Sequence, residues 1–224
     1  MPIRNITLPP THNQRAPEQW RIISEHVDFE GKTVLDLGCG YGDLLWRTLV
    51  AGAESCHGIE QEQSIIDECN QAVFELMSGG IVFSQTSIER WMRAIDERMP
   101  PGQEYVANVA ICFSVLPYLD NPTATLHWIR QHSEQALIEC QLSGDGPGFD
   151  WLKCPQDMRR WLDSIGWQSV ERIGETAIDG WETKRGIWLC QSGRPGDLPD
   201  LNPCIDIYEC DWRMPEQPAK WSGE

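Results

Sequence analysis

Positive charge is scarce in this chain: 18 Lys plus Arg stand against 34 Asp plus Glu, a formal net charge of −16. Such a surface repels polyphosphate, which disfavours nucleic acid as the main partner. Two short basic stretches, Arg90 to Arg98 and Met158 to Trp161, read as solvated helix faces rather than a binding patch. No apolar run approaches the ~20 residues of a membrane span. The N-terminus lacks the basic flank, apolar core and cleavage site of a secretory signal, so the expected compartment is the cytoplasm. The nine cysteines include no CxxC pair, which excludes an evident disulfide framework or zinc motif. They are expected to be reduced thiols, with Cys190, Cys204 and Cys210 the one trio to consider for a metal. The five histidines show no HExxH spacing, and no ligand role is assigned to them.

What is present is an alternation of short apolar runs and amphipathic stretches. Residues 1–16, with Pro9-Pro10, read as a loosely ordered arm. A helix follows, with Pro17 in its first turn and Trp20, Ile23 and Val27 at helical spacing. Strands are expected at 33–38, 55–60, 81–85, 105–112 and 136–141, separated by helices near 43–51, 62–77, 88–98 and 122–132. That order predicts a Rossmann-like α/β fold, a mostly parallel seven-stranded sheet with helices on both faces. After Gly144 to Gly148 the pattern changes to a helix near 155–165 and strands near 167–173 and 186–192. The loop between those strands, Glu175 to Arg185, is too short for a crossover, so the last pair is antiparallel. Residues 17–192 thus form one domain, and 193–224 a Pro/Gly/acidic tail with an edge strand expected at 204–210.

The stretch "TVLDLGCGYGDLL" (Thr33 to Leu45) places Gly38, Gly40 and Gly42 where a strand turns into a helix. A dinucleotide loop would have its third glycine at position 43, where this chain has Asp43, and an aspartate there repels pyrophosphate. There is no Gly-Lys-Ser/Thr either, so this is not a nucleoside-triphosphate loop. Asp36 before the glycines, Asp43 after them and Glu60 at the tip of the next strand suit a ligand with a ribose, positive charge and no phosphate.

"VLDLGCGYG", the acidic Glu60 and the element order over about 17–192 together resemble the class I S-adenosylmethionine-dependent methyltransferases. The resemblance implies S-adenosylmethionine as cofactor and S-adenosylhomocysteine as product. By the same resemblance Gly38, Cys39 and Gly40 would run beside the methionine part, Asp36 would hold its ammonium and Glu60 its ribose. Gln61 would lie beside the adenine. Where many relatives carry an adenine-binding aspartate this chain has Thr86, followed by Ser87, and a hydroxyl or backbone N–H would serve instead. Phe113 and Ser114, in the acceptor-side segment "CFSVLPYL", would lie near the methyl group, while Pro117 occupies a position where relatives often have a histidine. Arg15 could close over the methionine carboxylate, although an exposed arginine on an arm is the plainer reading.

The expected activity is methyl transfer by in-line displacement, which requires alignment more than catalytic side chains. No catalytic residue is nominated; Tyr118 and Asp120 are the nearest candidates for a base. A small-molecule acceptor leads. A protein or nucleic-acid acceptor, a cofactor-binding protein without turnover, and a nicotinamide-dependent dehydrogenase stand as alternatives. Asn-Pro-Pro-Tyr is absent, and the Cys154-Pro155 pair is not the nucleophilic Pro-Cys of cytosine-carbon enzymes. Asp145 is explained by its glycine-rich turn. Eleven tryptophans suggest an aromatic acceptor pocket or a partner surface, with core packing accounting for most.

Overall fold

A computed structural model describes residues 8–76, 79–98, 107–141, 154–178 and 181–193. The tail, its expected strand at 204–210, Cys204, Cys210 and Asp145 lie outside them. In chain order the elements are α1 (Ala16–Ser24), β1 (Thr33–Leu37), α2 (Asp43–Val50), β2 (Ser55–Glu60), α3 (Gln63–Glu75), β3 (Ile81–Gln85), α4 (Ile88–Arg98) and β4 (Ala107–Phe113). After a short 3-10 turn (Leu116–Tyr118) come α5 (Pro122–His132), β5 (Ser133–Gln141), α6 (Pro155–Ile165), β6 (Ser169–Ile178) and β7 (Trp181–Gln191).

The seven strands form one sheet in the order β3-β2-β1-β4-β5-β7-β6, parallel except where β7 runs antiparallel between β5 and β6. The chain leaves β1 on one side for β2 and β3 and returns on the other as β4. That reversal opens a crevice at the C-terminal ends of β1 and β4, the usual ligand position in open α/β sheets.

Strand alternation assigns each side chain to a face. Leu35 and Leu37 of β1 and Ala136, Ile138 and Cys140 of β5 pack toward α4, α5 and α6. Val34, Ile111, Leu137 and Ile187 pack toward α1, α2 and α3. Asp36 and Glu139 fall, by the same period of two, on this second face, at its C-terminal end. Burying an apolar side chain in such a layer contributes ~1.5–3 kcal/mol, so each face carries a substantial core.

Local chemistry sets the helix ends. Asn121 accepts a hydrogen bond from the Ala124 N–H at 2.9 Å and Pro122 opens α5. Cys154 and Asp157 form a reciprocal cap on α6, which ends at Gly166 with φ 85°.

The largest departure from the sequence reading is the last hairpin. The segment 175–185, expected as a loop, is mostly strand: pairing runs from Ser169↔Gln191 to Ile178↔Trp181, two residues short of continuous chain. Asp179-Gly180 lies between, the strongest short-range hairpin signal in a sequence. Register shifts between Arg172 and Gly174 and between Thr176 and Ile178 break the alternation that would have shown the strand.

Candidate active site

At the crevice lies a cavity of about 500 Å³ bounded by the glycine turn, the tips of β2, β3 and β4, and residues 12–19. Every residue expected to hold the cofactor lines it: Asp36, Gly38, Cys39, Gly40, Glu60, Gln61, Thr86, Ser87 and Phe113. The three turn glycines have positive φ, but their surroundings differ. A Cβ on Gly38 would come within 2.7 Å of Val115, and one on Gly42 within 2.6 Å of Phe83. A Cβ on Gly40 would meet nothing within 4 Å, so that glycine faces open cavity.

The Glu60 carboxylate is fixed by backbone amides: Oε1 accepts from the N–H of Gln61 at 2.7 Å and Glu62 at 3.0 Å, and Oε2 from Gly40 at 3.2 Å. The glycine turn and the β2 tip are therefore tied together. Asp36 is 4% exposed. Burial, and then the charge of Glu60, push its carboxyl up to about 8, so it holds a proton at neutral pH. Burial likewise raises the Cys39 thiol well above its usual range, with Asp36, Cys69 and Glu60 adding to it, so Cys39 is a neutral packing group. At the β3 end Thr86 donates its N–H to Glu60 O, Gln85 donates its amide to Gln61 O, and Ser87 Oγ accepts the Arg90 N–H at the start of α4.

Residues 11–15 are tied down on both sides of the cavity. Asp43, read from sequence as a repellent to phosphate, accepts the backbone N–H of His12 at 3.2 Å and Asn13 at 2.8 Å. Arg47 donates to Thr11, and the His12 ring stacks on Tyr41 at 4.1 Å. Opposite, Arg15, which a sequence reading leaves on the surface, is 16% exposed and pairs with the fully buried Glu139 at 2.9 Å. Glu139 also accepts from Gln19 at 2.9 Å, Thr176 at 2.7 Å and the Ser114 hydroxyl. Glu139 escaped the sequence reading because "ALIEC" looks like core strand and its partners Arg15 and Gln19 lie 124 and 120 residues away.

Ser114 adopts φ 62°, the left-handed region that non-glycine residues rarely occupy, held by its N–H to Glu139 O and its hydroxyl to the Glu139 carboxylate. Its proton is thus committed, and Ser114 is not a free base. Tyr118 lines the cavity with 76% exposure, and Glu89 and Leu119 border it nearby. Asp120 is not brought into it. Nor is any tryptophan among the described residues: Trp46, Trp91, Trp128, Trp167 and Trp188 are buried core. The cavity's aromatic rings are Tyr41, Phe113 and Tyr118 alongside His12. Among the described residues no group of three or more His, Cys, Asp or Glu is placed to hold a metal, and no helix is long and apolar enough to cross a membrane.

A seven-stranded sheet of this order, with an acid-rimmed glycine turn at its switch point, is the architecture expected above for the S-adenosylmethionine-dependent methyltransferases. The chain matches the profile of the methyltransferase domain family over residues 12–176 and belongs to that family. Among solved structures it resembles magnesium protoporphyrin IX methyltransferase from Synechocystis PCC 6803 with bound SAM, at 18% identity and TM-score 0.60, covering 81% of this chain and 80% of that one. The N-terminal domain of EvdMO1 with bound SAH is similar at 13% identity and TM-score 0.57, covering 81% and 82%. At these identities the likeness establishes the fold. In sequence, tRNA U34 carboxymethyltransferase of Pseudomonas paraeruginosa (strain DSM 24068 / PA7) is 52% identical over 46 residues, which span 20% of this chain and 14% of that protein.

Proposed function

We propose that the protein transfers a methyl group from S-adenosylmethionine to a small-molecule acceptor, with the cofactor held at the glycine turn. The observation that carries this reading is the open space at Gly40 between two carboxylates, Asp36 and Glu60. The donor set fits the group. Gly38, Cys39 and Gly40 leave room for its amino-acid part, Asp36 takes the ammonium, and Glu60 takes a ribose hydroxyl with the acceptor capacity its three amides leave. Gln61, Thr86 and Ser87 bound the adenine end, and Phe113 and Ser114 flank the methyl. Four carboxylates line the cavity, Asp36, Asp43, Glu60 and Glu89, against one guanidinium, so Arg15 is the partner for the methionine carboxylate.

The cofactor supplies an already activated methyl group, so the chain's residues align the acceptor and exclude water. Neither Ser114, whose hydroxyl is committed to Glu139, nor Asp36, buried against the cofactor's own charge, serves as a free general base. An acceptor whose nucleophile loses its proton to solvent, with Tyr118 at the mouth, is compatible with that arrangement. The cavity volume falls in the range of small-molecule sites, and a net charge of −16 opposes a polyanionic acceptor. The 46-residue likeness to a tRNA-directed enzyme gives the competing reading a place in the test. Incubation with methyl-labelled S-adenosylmethionine and a fractionated cell extract should put label in the low-molecular-mass fraction. Label confined to RNA or protein would overturn the small-molecule assignment.

A further inference from the structure

We infer that Glu139 is a positioning residue for the cofactor's carboxylate, acting through Arg15. The inference rests on the cofactor site proposed above and extends it to a residue that does not line the cavity. Arg15 sits immediately before α1, at the border of the cavity. A lone arginine there has many rotamers, and most would leave the guanidinium in solvent. Two bonds select one of them: Nη1 donates to Glu139 Oε2 at 2.9 Å and Nη2 to Ser114 Oγ at 3.0 Å. A guanidinium has five N–H groups, so three remain for a ligand carboxylate, in the planar geometry that suits bidentate binding.

Glu139 itself is saturated. Its Oε1 accepts from Gln19 and Thr176, and its Oε2 from Arg15 and Ser114, four donors for four lone-pair sites. It is fully buried and ion-paired with Arg15, with the Arg185 guanidinium also close enough to feel its charge, and removal of Arg15 takes away its direct ionic partner. The donors come from α1 and the residue before it, the end of β4, and β6, three elements that this one carboxylate ties together. Glu139 therefore fixes in one place the arginine that faces the amino-acid end of the cofactor and the serine at the acceptor wall. A saturated, buried carboxylate has no role in proton transfer, and its effect on the ligand passes through Arg15.

The test compares binding of S-adenosylhomocysteine with that of 5′-methylthioadenosine, which keeps the nucleoside and thioether but has no amino acid. Calorimetry on the full chain should find that Arg15→Ala weakens S-adenosylhomocysteine at least tenfold and methylthioadenosine less than twofold. Glu139→Gln should reproduce that split, and the double variant should be no worse than Arg15→Ala alone, because the two act in series. Should Glu139→Gln fail to fold, Glu139→Asp, which keeps the charge but retracts it from Arg15, should show the same split. Equal loss of both ligands in the Glu139 variants, or additive losses in the double variant, would show a merely structural role and overturn the inference while leaving the cofactor site standing. A folded wild type that binds neither ligand would overturn the site as well. An unchanged ratio in Arg15→Ala would overturn the Arg15 step alone and with it the inference.

Discussion

If Asp36 holds the cofactor's ammonium, as proposed, binding becomes a proton-linked event whose size follows from the position of its carboxyl. In the free protein its carboxyl is raised from 3.8 to about 8 by burial, with the charge of Glu60 adding to the shift. An ammonium seated against it requires the carboxylate, so the ligand must expel a proton at any pH below about 8. At pH 6, two units lower, the ionised fraction is about 1%, and the apparent affinity for S-adenosylhomocysteine should be about 100-fold weaker than on the plateau, ~2.7 kcal/mol. Affinity should rise with pH and level off near 8. Calorimetric titration at pH 6 to 8.5, run in two buffers of different ionisation enthalpy, counts the protons directly. Close to one should be released per ligand at pH 6 and few above pH 8.5. Asp36→Asn should bind more weakly at high pH and lose the slope. An affinity flat within twofold across that range, with no buffer-dependent heat, would rule out proton release from Asp36 on binding.

The same carboxyl acts on the stability of the free protein. Because its folded value lies above its unfolded one, the native state holds the extra proton, and stability should fall as pH rises from about 4 to about 8; Asp36→Asn should flatten that decline in denaturant titrations. Gly42→Ala should destabilise the fold by ~2 kcal/mol or more, since φ is 73° and the new Cβ would lie 2.6 Å from Phe83. Gly40→Ala, with open space around it, should cost ~1 kcal/mol and lose ligand binding instead. Asn121→Ala removes the α5 cap and should cost ~1 kcal/mol by chemical denaturation with no change in ligand affinity.

What the sequence made legible was local. The ends of α5 and α6 follow from Pro122, Asn121, Pro155 and Gly166, residues whose backbone chemistry acts within one turn. The glycine turn and Glu60 were readable because their spacing along the chain is the spacing of one strand-turn-helix unit and the next strand. The antiparallel pairing of the last two strands was readable as well, but not their full length, because Gly174 sits at a register shift and the period of two fails there. Glu139 and Arg15 were hidden for a different reason: a charge in an apolar strand and an arginine before a helix gain meaning only from a contact across 124 residues. Asp43 shows the intermediate case, its position readable but its partners, two amides of the preceding segment, not.

Whether the glycine turn holds the cofactor is tested by calorimetric titration of the wild type with S-adenosylhomocysteine at pH 8, beside Gly40→Val and Glu60→Ala. The wild type should bind with micromolar affinity, which is abolished where a side chain fills the space at Gly40 and weakened where the β2 carboxylate is removed. A folded wild type that binds no S-adenosylhomocysteine, or a Gly40→Val variant that binds it as well as the wild type, would contradict that placement of the cofactor.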